Sequence, residues 1–121
     1  MPKVLFIDDE IDVILPFAFW FKSQGYAVMT ASTCDEALKS VKDDTPDVVF
    51  LDIHMPDSDG FAMLKKIKAV NEAVPVIMMS AYIGDNVTEK EEKGAIAGIF
   101  YKGDDFSKAL ALAESVLNKK K

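Results

Sequence analysis

Acidic residues follow directly after two apolar runs of this sequence, where a carboxylate can bind a metal ion or attack an electrophile. Residues 48–51 lead into Asp52, and residues 4–7 lead into Asp8 and Asp9. Short apolar runs rich in β-forming residues predict strands that are buried on both faces. A carboxylate at the end of a buried strand is costly to desolvate unless a partner neutralises its charge. These acids therefore predict a functional site.

Two further predicted strands end on polar side chains that suit the same site. Residues 74–79 lead into Ser80, and residues 97–101 lead into Lys102. The carboxyl ends of parallel strands share one edge of a sheet, where open α/β sheets place their ligands. The hydroxyl of Ser80 can donate to a phosphoryl oxygen, and Lys102 supplies a fixed positive charge. Because a carboxylate can itself attack phosphorus, the set predicts that Asp52 accepts a phosphoryl group.

Three carboxylates at one edge would repel each other unless a cation lay among them. All-oxygen ligands suit a hard ion, and Mg2+ is commonly bound by one or two carboxylates, water and phosphate oxygens. The chain has a single histidine, His54, and a single cysteine, Cys34, which argues against a zinc cluster. Asp8, Asp9 and Asp52 therefore predict a Mg2+ site, with Mn2+ as an alternative ion, that assists in-line phosphoryl transfer.

Strand and helix patterns alternate along the whole chain. The predicted strands cover residues 4–7, 26–30, 48–51, 74–79 and 97–101. The predicted helices cover residues 11–24, a segment opened by the capping box at 33–36, a segment from 61, a weakly patterned segment at 84–94 and residues 106–117. This order predicts an α/β fold with a doubly wound, five-stranded parallel sheet in the order 2-1-3-4-5, a flavodoxin-like (βα)5 three-layer sandwich.

Composition narrows the functional classes. The 121 residues carry a net charge of −6, which argues against direct nucleic-acid binding. The length indicates one domain over residues 1–121, structured from about residue 3 to 118. Cys34 is the only cysteine, so no internal disulfide forms and a reducing compartment fits. The apolar run at 4–7 is too short for a signal peptide or a membrane span, so we expect a cytoplasmic protein.

These motifs together resemble the receiver domain of two-component response regulators. The resemblance covers about residues 3–116 and includes no output domain. Its motifs are Asp8-Asp9-Glu10, the segment from Leu51 to Gly60, Met79-Ser80-Ala81 and Tyr101-Lys102. Each motif alone is weakly specific, whereas all of them at these spacings on alternating strands and helices are highly specific.

The resemblance implies a role for each site residue. A sensor histidine kinase or phosphotransfer protein would phosphorylate Asp52. Asp9, Asp52 and the backbone carbonyl of His54 would bind Mg2+ directly, and Asp8 would act through water. Ser80 and Lys102 would engage the phosphoryl group. The protein would catalyse only its own phosphorylation and dephosphorylation, and would change its binding to a downstream protein or output domain through the fourth helix, fifth strand and last helix.

Two positions depart from the family pattern. Gly103 stands where the family usually has a proline after a cis peptide bond. Because a non-proline cis bond costs about 3 kcal/mol, we expect a trans bond here. Ile99 stands where the family usually has an aromatic switch residue, so the coupling between Ser80 and an aromatic side chain is expected to differ.

The first predicted helix has apolar residues on more than one face. One helical face is predicted to be buried: Ile14, Phe17, Ala18 and Phe21. Leu15, Phe19 and Trp20 then point elsewhere, as an exposed apolar stripe that would contact a partner protein or a second copy of the chain. In receivers this helix commonly meets the kinase or phosphotransfer partner.

Two other functions are compatible with parts of the pattern. One is a receiver-like interaction module that acts without phosphorylation, which Gly103 and Ile99 favour and the complete acidic, hydroxyl and lysine set opposes. The other is a phosphohydrolase with an aspartyl-phosphate intermediate. That chemistry normally needs a second carboxylate two residues after the nucleophile, where this chain has His54.

Overall fold

The computed structural model describes residues 2–55, 58–80 and 96–119 of the chain. The strands are β1 (Lys3–Ile7), β2 (Ala27–Ala31), β3 (Val48–Asp52), β4 (His54–Met55), β5 (Ser58–Asp59), β6 (Val76–Ser80) and β7 (Gly98–Tyr101). The helices are α1 (Ile11–Ser23), α2 (Cys34–Asp43), α3 (Gly60–Val70) and α4 (Phe106–Lys119). The predicted helix at residues 84–94 lies outside the described residues.

The five longer strands form one parallel sheet in the order β2-β1-β3-β6-β7. Counted along the chain, this is the predicted order 2-1-3-4-5, so the doubly wound fold is confirmed. The sequence predicts a plain loop after β3, but β4 and β5 pair there as a small antiparallel hairpin. Two-residue strands are too short to produce an alternating pattern, which is why the sequence gives no sign of them.

Strands β2 and β6 begin later than the sequence predicts, because Tyr26 and Val74 lie in turns. The N–H of Tyr26 donates to the carbonyl of Phe21 near the end of α1 (3.2 Å). The N–H of Val74 donates to the carbonyl of Asn71 (3.3 Å). Both amides are therefore engaged before the sheet begins, and each strand extends one residue beyond its predicted carboxyl end.

Two apolar clusters lie on opposite faces of the sheet, because successive strand residues point to opposite sides. The aromatic core lies against α1 and α4 and includes Phe6, Ile14, Phe17, Phe21, Phe50, Phe100, Ala109 and Ala113. The aliphatic core lies against α2 and α3 and includes Leu5, Ile7, Val49, Leu51, Met63, Ile67, Val76 and Met78. The sheet is thus buried on both faces, which explains the continuous apolar runs of its strands.

Helix α1 presents a different outer surface from the one predicted. Leu15 and Phe19 are 56% and 76% exposed, as expected for the apolar stripe. Trp20, however, is half-buried and packs against the aromatic core. Its ring centroid lies 5.9 Å from that of Phe106 at the start of α4. The prediction that Trp20 belongs to the exposed stripe is therefore wrong, because a residue distant in sequence covers it.

Local capping signals define both ends of helices. The Oγ1 of Thr33 accepts a hydrogen bond from the N–H of Glu36 (3.2 Å), so the predicted start of α2 is confirmed. After α1, Gly25 adopts a φ of 94°, in the region that favours glycine. The longest helix in the described part of the chain, α4, has 14 residues. No described helix is long and apolar enough to cross a membrane.

Replacing Gly25 with alanine is expected to destabilise the protein by roughly 1–2 kcal/mol, because a Cβ disfavours the left-handed conformation. An added Cβ would meet no atom within 4 Å, so the effect would be conformational rather than steric. Urea unfolding followed by circular dichroism measures the change. Gly103→Ala is the matched control, since a Cβ there also meets nothing and φ is not left-handed. Equal stabilities for the two variants would contradict the prediction.

Candidate functional site

The predicted site residues meet at one edge of the sheet. Asp8 follows β1, Asp52 and Ser80 are the last residues of β3 and β6, and Lys102 follows β7. The register brings these ends together, since Asp52 pairs with Met79 and Ser80 with Tyr101. Asp8, Asp52 and Ser80 are all buried, with Asp52 only 2% exposed. The carboxyl ends of the parallel strands therefore place two buried acids and a buried hydroxyl beside the lysine.

Four acidic residues converge at this edge. Asp8, Asp9, Glu10 and Asp52 each offer a carboxylate oxygen, and these oxygens lie within 4.8 Å of one another. Sequence reasoning identified all but Glu10 as candidate ligands. Glu10 is adjacent to Asp8 and Asp9 in the sequence, which could have indicated it. Adjacency alone, however, does not predict where the side chain of a residue in the turn between β1 and α1 points.

Lys102 is the positive charge of the site. Its Nζ lies 2.7 Å from Oδ2 of Asp8, 3.3 Å from Oδ1 of Asp52 and 3.7 Å from Oε1 of Glu10. Burial lowers the pKa of Lys102, but the hydrogen bond to Asp8 and the charges of Asp52 and Asp8 raise it by more. The net pKa lies above the ordinary value for lysine, so the side chain is cationic at neutral pH.

The donor set fits a hard divalent cation. One ammonium group faces four carboxylates, so a divalent ion would reduce the remaining repulsion. The clustered oxygens are the ligand type that Mg2+ prefers. The structure thus brings Asp8, Asp9 and Asp52 together, and the binding of Mg2+ by them stays a prediction.

The remaining predicted contacts concern Ser80 and His54. The carbonyl of Ser80 accepts a hydrogen bond from the N–H of Lys102 (2.8 Å), which fixes the spacing of their backbones. His54 lies in β4, opposite Asp59 in the hairpin. The metal contact of the His54 carbonyl and the phosphoryl contact of the Ser80 hydroxyl stay predictions.

The structure shows the surroundings of the two positions that depart from the family pattern, Ile99 and Gly103. Ile99 packs against the aliphatic core, whereas Phe100 is buried on the opposite face, in the aromatic core. No aromatic side chain therefore occupies the position of the family's switch residue. No cis peptide bond occurs in residues 2–55, 58–80 and 96–119, so the bond between Lys102 and Gly103 is trans, as predicted.

Comparison with known proteins adds independent findings. The family model for the response regulator receiver domain matches residues 4–114. Sporulation initiation phosphotransferase F from Bacillus subtilis (strain 168) is 35% identical over 95 residues, which cover 78% of this chain and 77% of that protein. The transcriptional regulatory protein ZraR from Escherichia coli (strain K12) is 32% identical over 114 residues, 94% of this chain. Those residues cover 26% of ZraR, and this chain spans about a quarter to a half of the regulators that head the comparison.

A solved structure gives the same result in three dimensions. The response regulator TrrA from Thermotoga maritima was crystallised in complex with Mg2+ and BeF. It matches this fold with a TM-score of 0.86 and 25% sequence identity. The match covers 97% of this chain and 100% of that chain. The likeness therefore extends over nearly the whole chain.

Proposed function

This chain belongs to the response regulator receiver family, and from that premise we propose that it is a phosphorylation-dependent signalling switch with Asp52 as the acceptor. The observation that carries the proposal is the placement of Asp52. It is buried, 3.3 Å from Lys102, and surrounded by the carboxylates of a candidate metal site. The donor is a sensor histidine kinase or a phosphotransfer protein. Residues 1–121 form one receiver domain, and this domain acts in the cytoplasm.

In the proposed transfer, a carboxylate oxygen of Asp52 attacks the phosphorus of a phosphohistidine. The new O–P bond forms as the P–N bond breaks, and the imidazole leaves with the electron pair. Lys102 pairs with the incoming phosphoryl oxygens and the Ser80 hydroxyl donates to one of them. Asp9, Asp52 and the His54 carbonyl would hold Mg2+ and Asp8 would act through water, and the ion would supply charge neutralisation to the phosphoryl group when bound. Attack by water later restores Asp52 and releases inorganic phosphate.

The proposed output is a change of partner binding near β7 and α4. Phosphorylation biases a pre-existing two-state equilibrium, because the phosphoryl group adds charge that Lys102 and Ser80 can bind. A groove of about 420 Å3 borders β7 and α4, lined by Ile99, Tyr101, Lys108 and Leu112 among others. Together with the helix that the sequence predicts at residues 84–94, outside the described residues, this face would meet a downstream protein or output domain. The exposed Leu15 and Phe19, beside Trp20, would contact the phosphodonor protein or a second copy of the chain.

Replacing Asp52 with asparagine is expected to abolish phosphorylation. Wild-type protein incubated with acetyl phosphate and Mg2+ should gain the mass of one phosphoryl group. Asp52→Asn should gain none, nor should wild type treated with EDTA. Asp35→Asn, which removes an exposed carboxylate from α2, is the control and should be phosphorylated normally. Intact-mass spectrometry distinguishes these results, and an adduct that persists in Asp52→Asn would rule out Asp52 as the acceptor.

The second candidate is an interaction module that acts without phosphorylation. The observation favouring it is Ile99, which packs into the aliphatic core and leaves the family's aromatic switch position without an aromatic ring. A wild-type protein that takes up neither a phosphoryl group nor beryllofluoride would favour this alternative. The phosphohydrolase reading predicts hydrolysis of small phosphate esters, which a receiver would not catalyse.

A further inference from the structure

Glu10 lies at the mouth of the acidic site, where its side chain is exposed while those of Asp8 and Asp52 are buried. The Glu10 side chain is 60% exposed, yet its carboxylate reaches the cluster formed by Asp8, Asp9 and Asp52. An exposed glutamate that enters a group of like charges needs a cation to hold it there. Lys102 is such a cation, but it lies 3.7 Å from Glu10 and closer to Asp8 and Asp52.

The backbone of Glu10 is held at both of its polar groups. Its N–H donates to Oδ1 of Asp8 (2.9 Å), and its carbonyl accepts from the N–H of Ile14 in the first turn of α1 (3.2 Å). The point from which the side chain leaves is therefore fixed relative to the buried acid and to the helix.

The side chain of Glu10 does not stabilise the start of α1. Glu10 occupies the N-cap position of α1 but makes no side-chain capping bond there. Serine, threonine, aspartate and asparagine are the residues that stabilise this position. A residue that departs from the local preference without serving the helix is commonly found at a functional site. The carboxylate is directed at the acidic cluster instead.

A carboxylate at the mouth of the site can accept hydrogen bonds from the water molecules of the ion that is expected in this cluster. Mg2+ usually keeps several water molecules when it binds to protein. Groups that accept hydrogen bonds from a metal's ligands tune its affinity strongly.

We propose that Glu10 is a positioning residue for the cation, which accepts hydrogen bonds from the water molecules of Mg2+ at the mouth of the site and raises the affinity for the ion. The inference rests on the proposed function, because it assumes that Asp9 and Asp52 bind Mg2+. It adds a fourth carboxylate to the three that the sequence identifies. It also gives the exposed Glu10 a role that its distant contact with Lys102 does not explain, since exposed ion pairs contribute little.

The test is calorimetric titration of MgCl2 into unphosphorylated wild type, Glu10→Gln and Glu114→Gln. Glu10→Gln is expected to raise the Kd for Mg2+ about tenfold, at the lower end of effects seen for groups that contact a metal's ligands. Glu114→Gln removes the same charge from an exposed position on α4 and should leave the Kd within about twofold of wild type. Glu10→Asp should recover part of the affinity, because it keeps the charge on a shorter side chain.

Thermal unfolding in EDTA separates this role from a structural one. Glu10→Gln should unfold like wild type without the ion, because the contacts that anchor residue 10 are made by its backbone. An unchanged Kd for Glu10→Gln beside normal wild-type binding would overturn the inference and leave the proposed function intact. Equal weakening by Glu114→Gln would overturn it as a general charge effect. Wild type that binds no Mg2+ would overturn both the inference and the metal part of the proposed function.

Discussion

Replacing Phe17 with alanine is expected to destabilise the protein by about 3–5 kcal/mol, the range for deleting a buried aromatic ring. Phe17 is 3% exposed and lies at the centre of the aromatic core. The rings around it belong to Phe6 (4.7 Å between centroids), Phe106 (4.8 Å), Phe21 (5.3 Å), Phe100 (5.3 Å) and Phe50 (5.8 Å). Because these rings come from α1, three strands and α4, they cannot all move inward to fill the cavity.

The same helix provides the control for this prediction. Phe19→Ala removes the same ring two residues away, where it is 76% exposed, and should change the free energy of unfolding by no more than about 0.5 kcal/mol. Alanine favours the helix at both positions, so the difference between the variants reports packing alone. Urea unfolding measures both, and similar losses would mean that Phe17 is not central to the core.

Replacing Lys102 with methionine is expected to destabilise the metal-free protein by about 3 kcal/mol. The Lys102 side chain is 13% exposed and bridges the buried Asp8 and Asp52, so its removal leaves two buried carboxylates without their cation. Breaking one side of a buried ion pair typically costs about 3–5 kcal/mol. Lys108→Met, at an exposed lysine paired with Asp104, should have almost no effect. Equal stability of the two variants in EDTA would contradict the prediction.

The difference in the free energy of unfolding between wild type and Lys102→Met depends on pH through the raised pKa of Lys102. Burial alone lowers this pKa, but the hydrogen bond to Asp8 and the nearby negative charges raise it by more. A group with a raised pKa stabilises the fold fully below its unfolded pKa, here about 10.4. The stability gap between wild type and Lys102→Met should thus stay constant from neutral pH to about 10 and shrink at higher pH. A stability difference between wild type and Lys102→Met that increased at higher pH would contradict the prediction.

Much of the fold was predictable because its strands are buried on both faces. Continuous apolar runs such as residues 76–79 indicate parallel strands, and their alternation with helices indicates the strand order. The turn residues Tyr26 and Val74 were misassigned, since an apolar residue that packs at the end of a strand looks like part of it. The packing of Trp20 on Phe106 was not predictable, because a contact between the first and last helices leaves no local pattern.

The site was predictable to the extent that strand ends determine it. Asp52, Ser80 and Lys102 follow from the rule that parallel strands end at one edge. Glu10 was missed because its position depends on the turn between β1 and α1, where the Asp8 side chain binds the backbone of residue 10. A rule based on periodicity does not extend to such a turn.

Because of the contact between Trp20 and Phe106, the intrinsic fluorescence of Trp20 can report on a movement of α4. Trp20 is the only tryptophan of the chain, and its ring lies at the seam between α1 and α4. Phe106 begins α4 four residues after Lys102, the lysine that would engage the phosphoryl group in the proposed function. Any tilt of α4 that follows this engagement would change the polarity around the indole, and with it the wavelength of emission. Intrinsic fluorescence would then record the conformational response separately from the chemistry, without a label.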